Sequence, residues 1–289
     1  MIKKIAVLYG GSSSERQISL QSGEGVHKAI KELGYESELL DFKNITNFNE
    51  LKIYDFVFIA LHGFEGEGGE LQKNLDDLDI LYSGSKEIAC RNTWNKRLTK
   101  EILKKNNITT PLWLETKLNK QLVEDGLQTS FFDKFRPYKY LFLKPEEDGS
   151  SVDIFKISDN ESLKNAYQKC INPNRSFLFE EYIEGRELTV TIINKECLPP
   201  LEIITKNEFY DYDAKYISDK TLHVEAELTK NELDKIKSIS LDAFEALDCN
   251  GWARVDLLQD KEKNFYIIEI NTVPGMTNHS NVTKSGSFL

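Results

Sequence analysis

Gly251-Trp-Ala-Arg-Val-Asp-Leu-Leu258 and Phe265-Tyr-Ile-Ile-Glu-Ile-Asn-Thr-Val-Pro-Gly-Met-Thr277 read as two short strands that follow one another closely. A strand sends alternate side chains to the same side, so Arg254 goes with Asp256, and Glu269 with Asn271. Three oxygen donors and one guanidinium can therefore converge. Carboxylate and amide oxygens are hard ligands of the kind magnesium takes while leaving room for substrate phosphates. An arginine beside them can clamp a phosphate or a developing oxyanion. The same spacing also fits a hairpin that turns a charged face to water.

Working outward, the 289 residues suffice for two or three domains of ordinary size. A formal net charge of -10 and a pI near 5.1 argue against a nucleic-acid groove, which needs clustered Lys and Arg. Small-molecule chemistry is the better expectation. Cys90, Cys170, Cys197 and Cys249 are scattered, with neither CxxC nor zinc spacing, as expected of reduced thiols in a cytoplasmic protein. Lys3-Lys4 precedes an apolar run, Ile5 to Tyr9, too short for a signal peptide, and no other run approaches a membrane span.

That first run is a buried-strand pattern closed by Gly10-Gly11. Val26, Ala29, Ile30 and Leu33 then recur at the spacing of one helical face, ended by Gly34. Further strands at 37–40 and 56–61 predict a parallel sheet of the nucleotide-fold type, with functional loops at 11–16 and at His62-Gly63. One helix over 92–106, with Pro111 shortly beyond it, marks a division of the chain near residue 93. Strands follow at 140–144, 177–181 and 188–193. A helix carries Leu163, Ala166, Tyr167 and Cys170, and another runs over 229–247 into the carboxylate strands.

Several shorter segments carry two readings each. Gly10-Gly-Ser-Ser-Ser-Glu-Arg16 lies between strand and helix, where backbone N–H groups favour an anion, yet it lacks the Walker pattern and also fits a structural turn. Glu15 fits either the ammonium of an amino-acid substrate or a helix-start acid. Gly149-Ser150-Ser151 beside Lys144-Pro145 fits a flexible cover over triphosphate oxygens, or a plain strand end with its lysine in water. Glu180-Glu181-Tyr182-Ile183 offers groups for an adenine and ribose, and an exposed acidic strand end would look the same. The polar loop at 207–220 holds Tyr210, Tyr212 and Tyr216, and from it Lys215 reaches a terminal phosphate or the rings pack on themselves. His62 is a proton carrier or a satisfied polar cap.

Taken in order, Gly10-Gly-Ser-Ser-Ser-Glu15, Ala60-Leu-His-Gly63, Lys144-Pro145, Gly149-Ser-Ser151, Tyr210-Asp-Tyr-Asp-Ala-Lys-Tyr216, Arg254-Val-Asp256 and Glu269-Ile-Asn-Thr-Val-Pro-Gly-Met276 form a specific set. From Lys4 to Ser280 the chain resembles the D-alanine:D-alanine ligases of the ATP-grasp superfamily. The resemblance implies an α/β fold of three domains: an amino-terminal parallel-sheet domain over 1–93, a central ATP-grasp domain over 94–180 and a carboxy-terminal one over 181–289. It implies two steps, phosphorylation of one D-alanine carboxylate by ATP and attack by the amine of a second, for peptidoglycan precursor synthesis. It also implies two Mg2+ or Mn2+ ions and a cytoplasmic homodimer, with neither nucleic acid nor membrane as partner.

Residue by residue, the resemblance implies that Glu15 holds the first ammonium, that Ser150 and Tyr216 lock the loops, and that His62 sits by the first carboxylate. Lys96, Lys144 and Lys215 would contact the ATP phosphates and Glu180 and Glu187 the adenosine, with Ser151, Glu181, Ile183 and Tyr210 also binding the nucleotide. Asp256, Glu269 and Asn271 would hold the metal, Arg254 and the Gly275 N–H the oxyanion, and Ser280 the second substrate's carboxylate. Asn95 replaces the family's usual aspartate, Asn281 replaces an apolar residue in the second pocket, and Leu289 precedes the family's terminal helix.

Overall fold

The computed structural model describes residues 2–135, 137–149, 152–205 and 221–289. Strands β1 (Lys4–Tyr9), β2 (Glu36–Asp41) and β3 (Phe56–Ile59) form a parallel sheet in the order β2-β1-β3. The central strand is apolar at Ile5, Ala6, Val7 and Leu8 because both its faces are covered. Helix α1 (Arg16–Glu32) crosses between β1 and β2 and buries only part of the face that its apolar spacing predicts, Val26 with Ile30 packed against the same core. Ser19, Ser22, Gly23 and Val26 are buried, while Ala29 is exposed and Leu33 is 74% exposed. Close approach decides the matter: a Cβ on Gly23 would lie 2.4 Å from the Tyr9 Cβ, so only glycine lets the helix settle there.

Short helices α2 (Phe64–Glu67) and α3 (Glu70–Asp77) follow, then α4 (Glu87–Trp94) and α5 (Lys96–Lys105). The single helix predicted over 92–106 is two helices broken at Asn95, whose backbone turns to φ -91° and ψ 106°. The Asn95 side chain explains the break. Its oxygen accepts the Leu98 N–H at 3.0 Å, and its amide donates to Glu147 at 2.8 Å.

Strands β4 (Trp113–Lys117), β5 (Leu141–Pro145), β6 (Phe155–Ile157) and β7 (Ser176–Glu181) form an antiparallel sheet in the order β4-β7-β5-β6, accompanied by α6 (Lys120–Asp125) and α7 (Asn160–Lys169). A third sheet contains β8 (Gly185–Ile193), β9 (Glu196–Cys197), β10 (Leu201–Ile204), β11 (Leu222–Glu225), β12 (Trp252–Asp260) and β13 (Phe265–Asn271). Its main order is β11-β10-β8-β12-β13, with β9 on β8. Helix α8 (Lys230–Ala246) starts at a Thr229–Glu232 capping box, and α9 (Asn281–Gly286) follows the last strand.

The cores cross these units. Trp252, Val273 and Val282 pack with Ala6, Leu8 and Val57 of the first sheet, and Leu103 and Ile108 pack with Val190, Val255 and Ile267 of the third. Burying each such side chain contributes about 2 kcal/mol. The first sheet and the segment after β13 are therefore held in register with each other.

Candidate active site

On the β12–β13 ladder, Arg254 stands opposite Asn271 and Asp256 opposite Glu269, so all four share one face. A bulge between Asp256 and Leu257 then shifts the register, so the strict pairing ends where the carboxylates end. Arg254 grips Asp256 with two nitrogens, Nε at 2.9 Å from Oδ1 and Nη2 at 2.7 Å from Oδ2. Thr189 donates to the same carboxylate at 2.7 Å. The Asn271 oxygen accepts the Val273 N–H at 2.8 Å and so starts the turn toward Gly275. A Cβ on Gly275 would lie 2.8 Å from the Ser280 hydroxyl, which accepts the Thr277 N–H at 2.9 Å. Ser280 precedes α9, and the next residue, Asn281, is buried.

The turn at 273–276 meets the end of the first sheet through His62. Its Nδ1 donates to the Val273 carbonyl at 2.9 Å, and its Nε2 accepts from the Ser22 hydroxyl at 3.1 Å. Ser22 in turn accepts the Met276 N–H at 3.0 Å. A carbonyl can only accept, so this chain fixes the tautomer. Burial lowers the His62 pKa against the opposing pull of Glu15, and the ring is neutral at pH 7. Both nitrogens are thus engaged by the protein, as the polar-cap reading has it.

Glu15 sits just before α1 without capping it and is buried. Cβ atoms placed on Gly149 and Gly63 would lie 3.1 and 3.6 Å from its Oε2, so two backbones converge on this carboxylate. The first three amides of the glycine turn before it are taken within the protein. Gly10 N–H donates to Ser19, Gly11 N–H to Asp41 and Ser12 N–H to Glu65, at 2.8, 3.2 and 2.8 Å. At Gly10, Gly11 and Ser12 these bonds are those of a structural turn. Glu67, which the sequence reading passed over, accepts the Gly63 N–H at 2.8 Å. Burial, and then the Glu15 charge, push its pKa well above the usual carboxylate range, and it also feels Arg254 and Glu269. The first sheet's carboxyl end and the β12–β13 face thus share one electrostatic site.

The second sheet contributes a buried triad. Glu180, paired with Phe142 across β5–β7, accepts from Lys144 on one oxygen and from Lys100 at 2.6 Å on the other. Lys100 is fully buried, donates further to Thr110 at 2.9 Å and to the Pro111 carbonyl at 3.2 Å, and was not anticipated. Nothing local in the sequence sets it apart from Lys96, Lys104 and Lys105 of the same helix, since its burial comes from Glu180, far along the chain. Burial lowers the Lys100 pKa while Glu180 opposes that, and the two lysines overcome burial to hold Glu180 below its ordinary value. The Glu180 carboxylate, read as an adenosine contact, is occupied by lysines. Lys96 donates to the Asp148 carbonyl at 2.6 Å. Glu181 is buried and bonded to Tyr138, while Ile183 and Glu187 are half-buried where the second sheet passes into the third. Ser150, Ser151, Tyr210, Lys215 and Tyr216 lie outside the described residues.

This combination of a lysine-bearing antiparallel sheet and a carboxylate-bearing one is that of the ATP-grasp ligases. The family model for the D-ala D-ala ligase C-terminus matches residues 108–287. The chain is 37% identical over 276 residues to D-alanine–D-alanine ligase B of Clostridium perfringens, covering 95% of this chain and 89% of that one. It is 40% identical over 276 residues to the D-alanine–D-alanine ligase of Saccharophagus degradans, covering 95% and 85%. A crystal structure of the Bacillus anthracis D-alanine–D-alanine ligase complexed with ATP superposes with a TM-score of 0.81 at 29% identity, covering 99% and 91%. The chain belongs to the D-alanine–D-alanine ligase family.

Proposed function

We infer that the protein joins two molecules of D-alanine into D-alanyl-D-alanine with conversion of ATP to ADP and phosphate, for cell-wall precursor synthesis. The observation that carries this reading is the β12–β13 face, where Arg254, Asp256, Glu269 and Asn271 stand in register, in a family member similar over nearly its whole length. A carboxylate is a poor electrophile, and its phosphorylation supplies the leaving group that the second amine displaces. Glu15 takes the first ammonium, and neutral His62 lines the site beside it without adding charge. Arg254 and the Gly275 N–H face the oxygen that gains charge as the second amine adds. Ser280, already fixed by Thr277, takes the second carboxylate.

ATP lies with its phosphates toward Lys96, Lys144 and Lys215 and its adenosine toward the end of β7 and Glu187, with Ser151, Glu181, Ile183 and Tyr210 also lining the nucleotide, while the Glu180 carboxylate stays with Lys100 and Lys144. Ser150 and Tyr216 close the loops over Glu15. Two carboxylates and an amide oxygen on one strand face fit Mg2+ or Mn2+, so Asp256, Glu269 and Asn271 would hold the ions, which supply charge neutralisation to the phosphates. Residues 1–93, 94–180 and 181–289 are proposed as the three units, and a homodimer as the assembly, on the resemblance. No described helix is long and apolar enough to cross a membrane.

The test is ADP release with D-alanine, L-alanine and D-lactate offered separately in the presence of Mg2+, with the product identified by mass. ADP and dipeptide with D-alanine alone are expected. ATP binding without any ADP production would overturn the reading.

A further inference from the structure

The loop that joins β5 to β6 is stapled at both ends by one side chain that the reaction, as described, does not use. Arg175, just ahead of β7, donates through Nη1 to Asp148 on the outgoing limb of the loop and through Nη2 to Asp153 on the returning limb, the latter at 2.6 Å. The anchor is rigid. Asp153 is buried, holds a left-handed backbone at φ 54°, and accepts the N–H groups of Ile171 and Asn172 at 2.9 and 3.2 Å. The guanidinium also lies 5.6 Å from the centre of the Phe177 ring. Asp148 is the last residue before Gly149, and its side chain accepts the Gly149 N–H at 2.9 Å. Gly149 is the residue whose missing Cβ leaves room for the Glu15 carboxylate at 3.1 Å. Hydrogen bonds thus link Arg175 through Asp148 to Gly149, whose side facing Glu15 has no room for a side chain without the neighbour giving way.

We propose that Arg175 is a positioning residue for the first amino-acid subsite, setting the height of Gly149 over the Glu15 carboxylate. One planar guanidinium reaches both limbs at fixed spacing, which a lysine, with a single point of charge, does not reproduce. Asp148 is also held through its carbonyl by Lys96, so losing Arg175 frees the Asp148 side chain and the approach of Gly149 without detaching the loop. The proposal rests on the reading that Glu15 takes the first substrate's ammonium.

The experiment compares wild-type protein, Arg175→Gln, Arg175→Lys, Gly149→Ala and the Arg175→Gln/Gly149→Ala double variant by steady-state kinetics at saturating ATP, with thermal unfolding of each. Arg175→Gln is expected to raise KM for the first D-alanine roughly tenfold, as loss of a charge-assisted hydrogen bond does, with kcat changed less than threefold. Arg175→Lys should fall between. The double variant should be little worse than the poorer single variant, because both act on one contact. Arg175→Gln that unfolds earlier yet keeps the wild-type KM would make the staple merely structural and overturn the proposal, as would full additivity with Gly149→Ala. Wild-type protein that turns over no D-alanine would remove the functional reading itself, an outcome distinct from both.

Discussion

Two ion-pair clusters, one on the second sheet and one on the third, use the same side-chain chemistry at different depths. In the Lys100–Glu180–Lys144 triad the side chains of Lys100 and Glu180 are 1% and 3% exposed, whereas those of Arg254 and Asp256 are 15% and 11% exposed. The triad has two cations on one carboxylate and hence a surplus positive charge. The Arg254–Asp256 pair, with Glu269 opposite Asp256, has a surplus negative one. The difference teaches how one active site separates permanent from exchangeable charge. A buried carboxylate between two lysines has no cheap alternative partner, so it is frame. The Arg254–Asp256 pair, less deeply enclosed, can trade partners for cation or substrate more readily.

Arg254→Ala breaks the exchangeable side and carries the largest expected effect. Dipeptide formation should fall roughly 100- to 1000-fold, the scale of removing an oxyanion donor, while ATP affinity by calorimetry changes by less than about threefold. Folding stability should move less than on breaking the triad, because Asp256 keeps the Thr189 hydrogen bond. Near-normal turnover in this variant would take Arg254 out of the reaction and leave the pair a solvated strand face.

The permanent side should respond in the opposite sense. Lys100→Met leaves Glu180 buried with Lys144 alone and strands the acceptors at Thr110 and Pro111. Removing one partner of a buried pair costs about 3 kcal/mol, to be read from urea unfolding against wild type. A loss below about 1 kcal/mol would place the triad in the same class as the Arg254–Asp256 pair and dissolve the contrast.

This contrast also marks what was legible in the sequence. The shared face of Arg254, Asp256, Glu269 and Asn271 followed from the two-residue period of strands joined by a short connection, a local rule. The buried β1 and the helix over 229–247 were local in the same way. What remained hidden depended on partners far along the chain. Lys100 reads as one more lysine of a charged helix until Glu180 is placed against it. The amides of the first glycine turn suit an anion until Asp41 and Glu65 arrive to accept them. Helix α1 turned Ser19, Ser22 and Gly23 inward beside Val26 because Gly23 meets Tyr9, leaving Ala29 and Leu33 outside, and Asn95 split a helix by reaching Glu147. Arg175 carried no motif at all, since its role consists of two carboxylates on either side of a loop.

A third pair, more open still, calibrates the comparison. Arg16 and Asp41 have side chains 32% and 18% exposed and secure the glycine turn at Gly11. Hydrogen bonding from Arg16 outweighs partial burial and lowers the Asp41 pKa from 3.8 to about 2. A carboxyl group depressed in the folded state stabilises above its unfolded pKa, and that contribution is lost as pH falls through the folded value. The window therefore runs from about pH 4 down to about pH 2. Solvent screening reduces the contribution to about 1 kcal/mol. Asp41→Asn should be less stable than wild type by that amount at pH 7, and the gap should narrow on acidification through the window in urea unfolding. A gap that stays constant from pH 7 to pH 3 would assign the loss to the hydrogen bonds of the turn and not to the ion pair, placing Arg16–Asp41 with the frame despite its exposure.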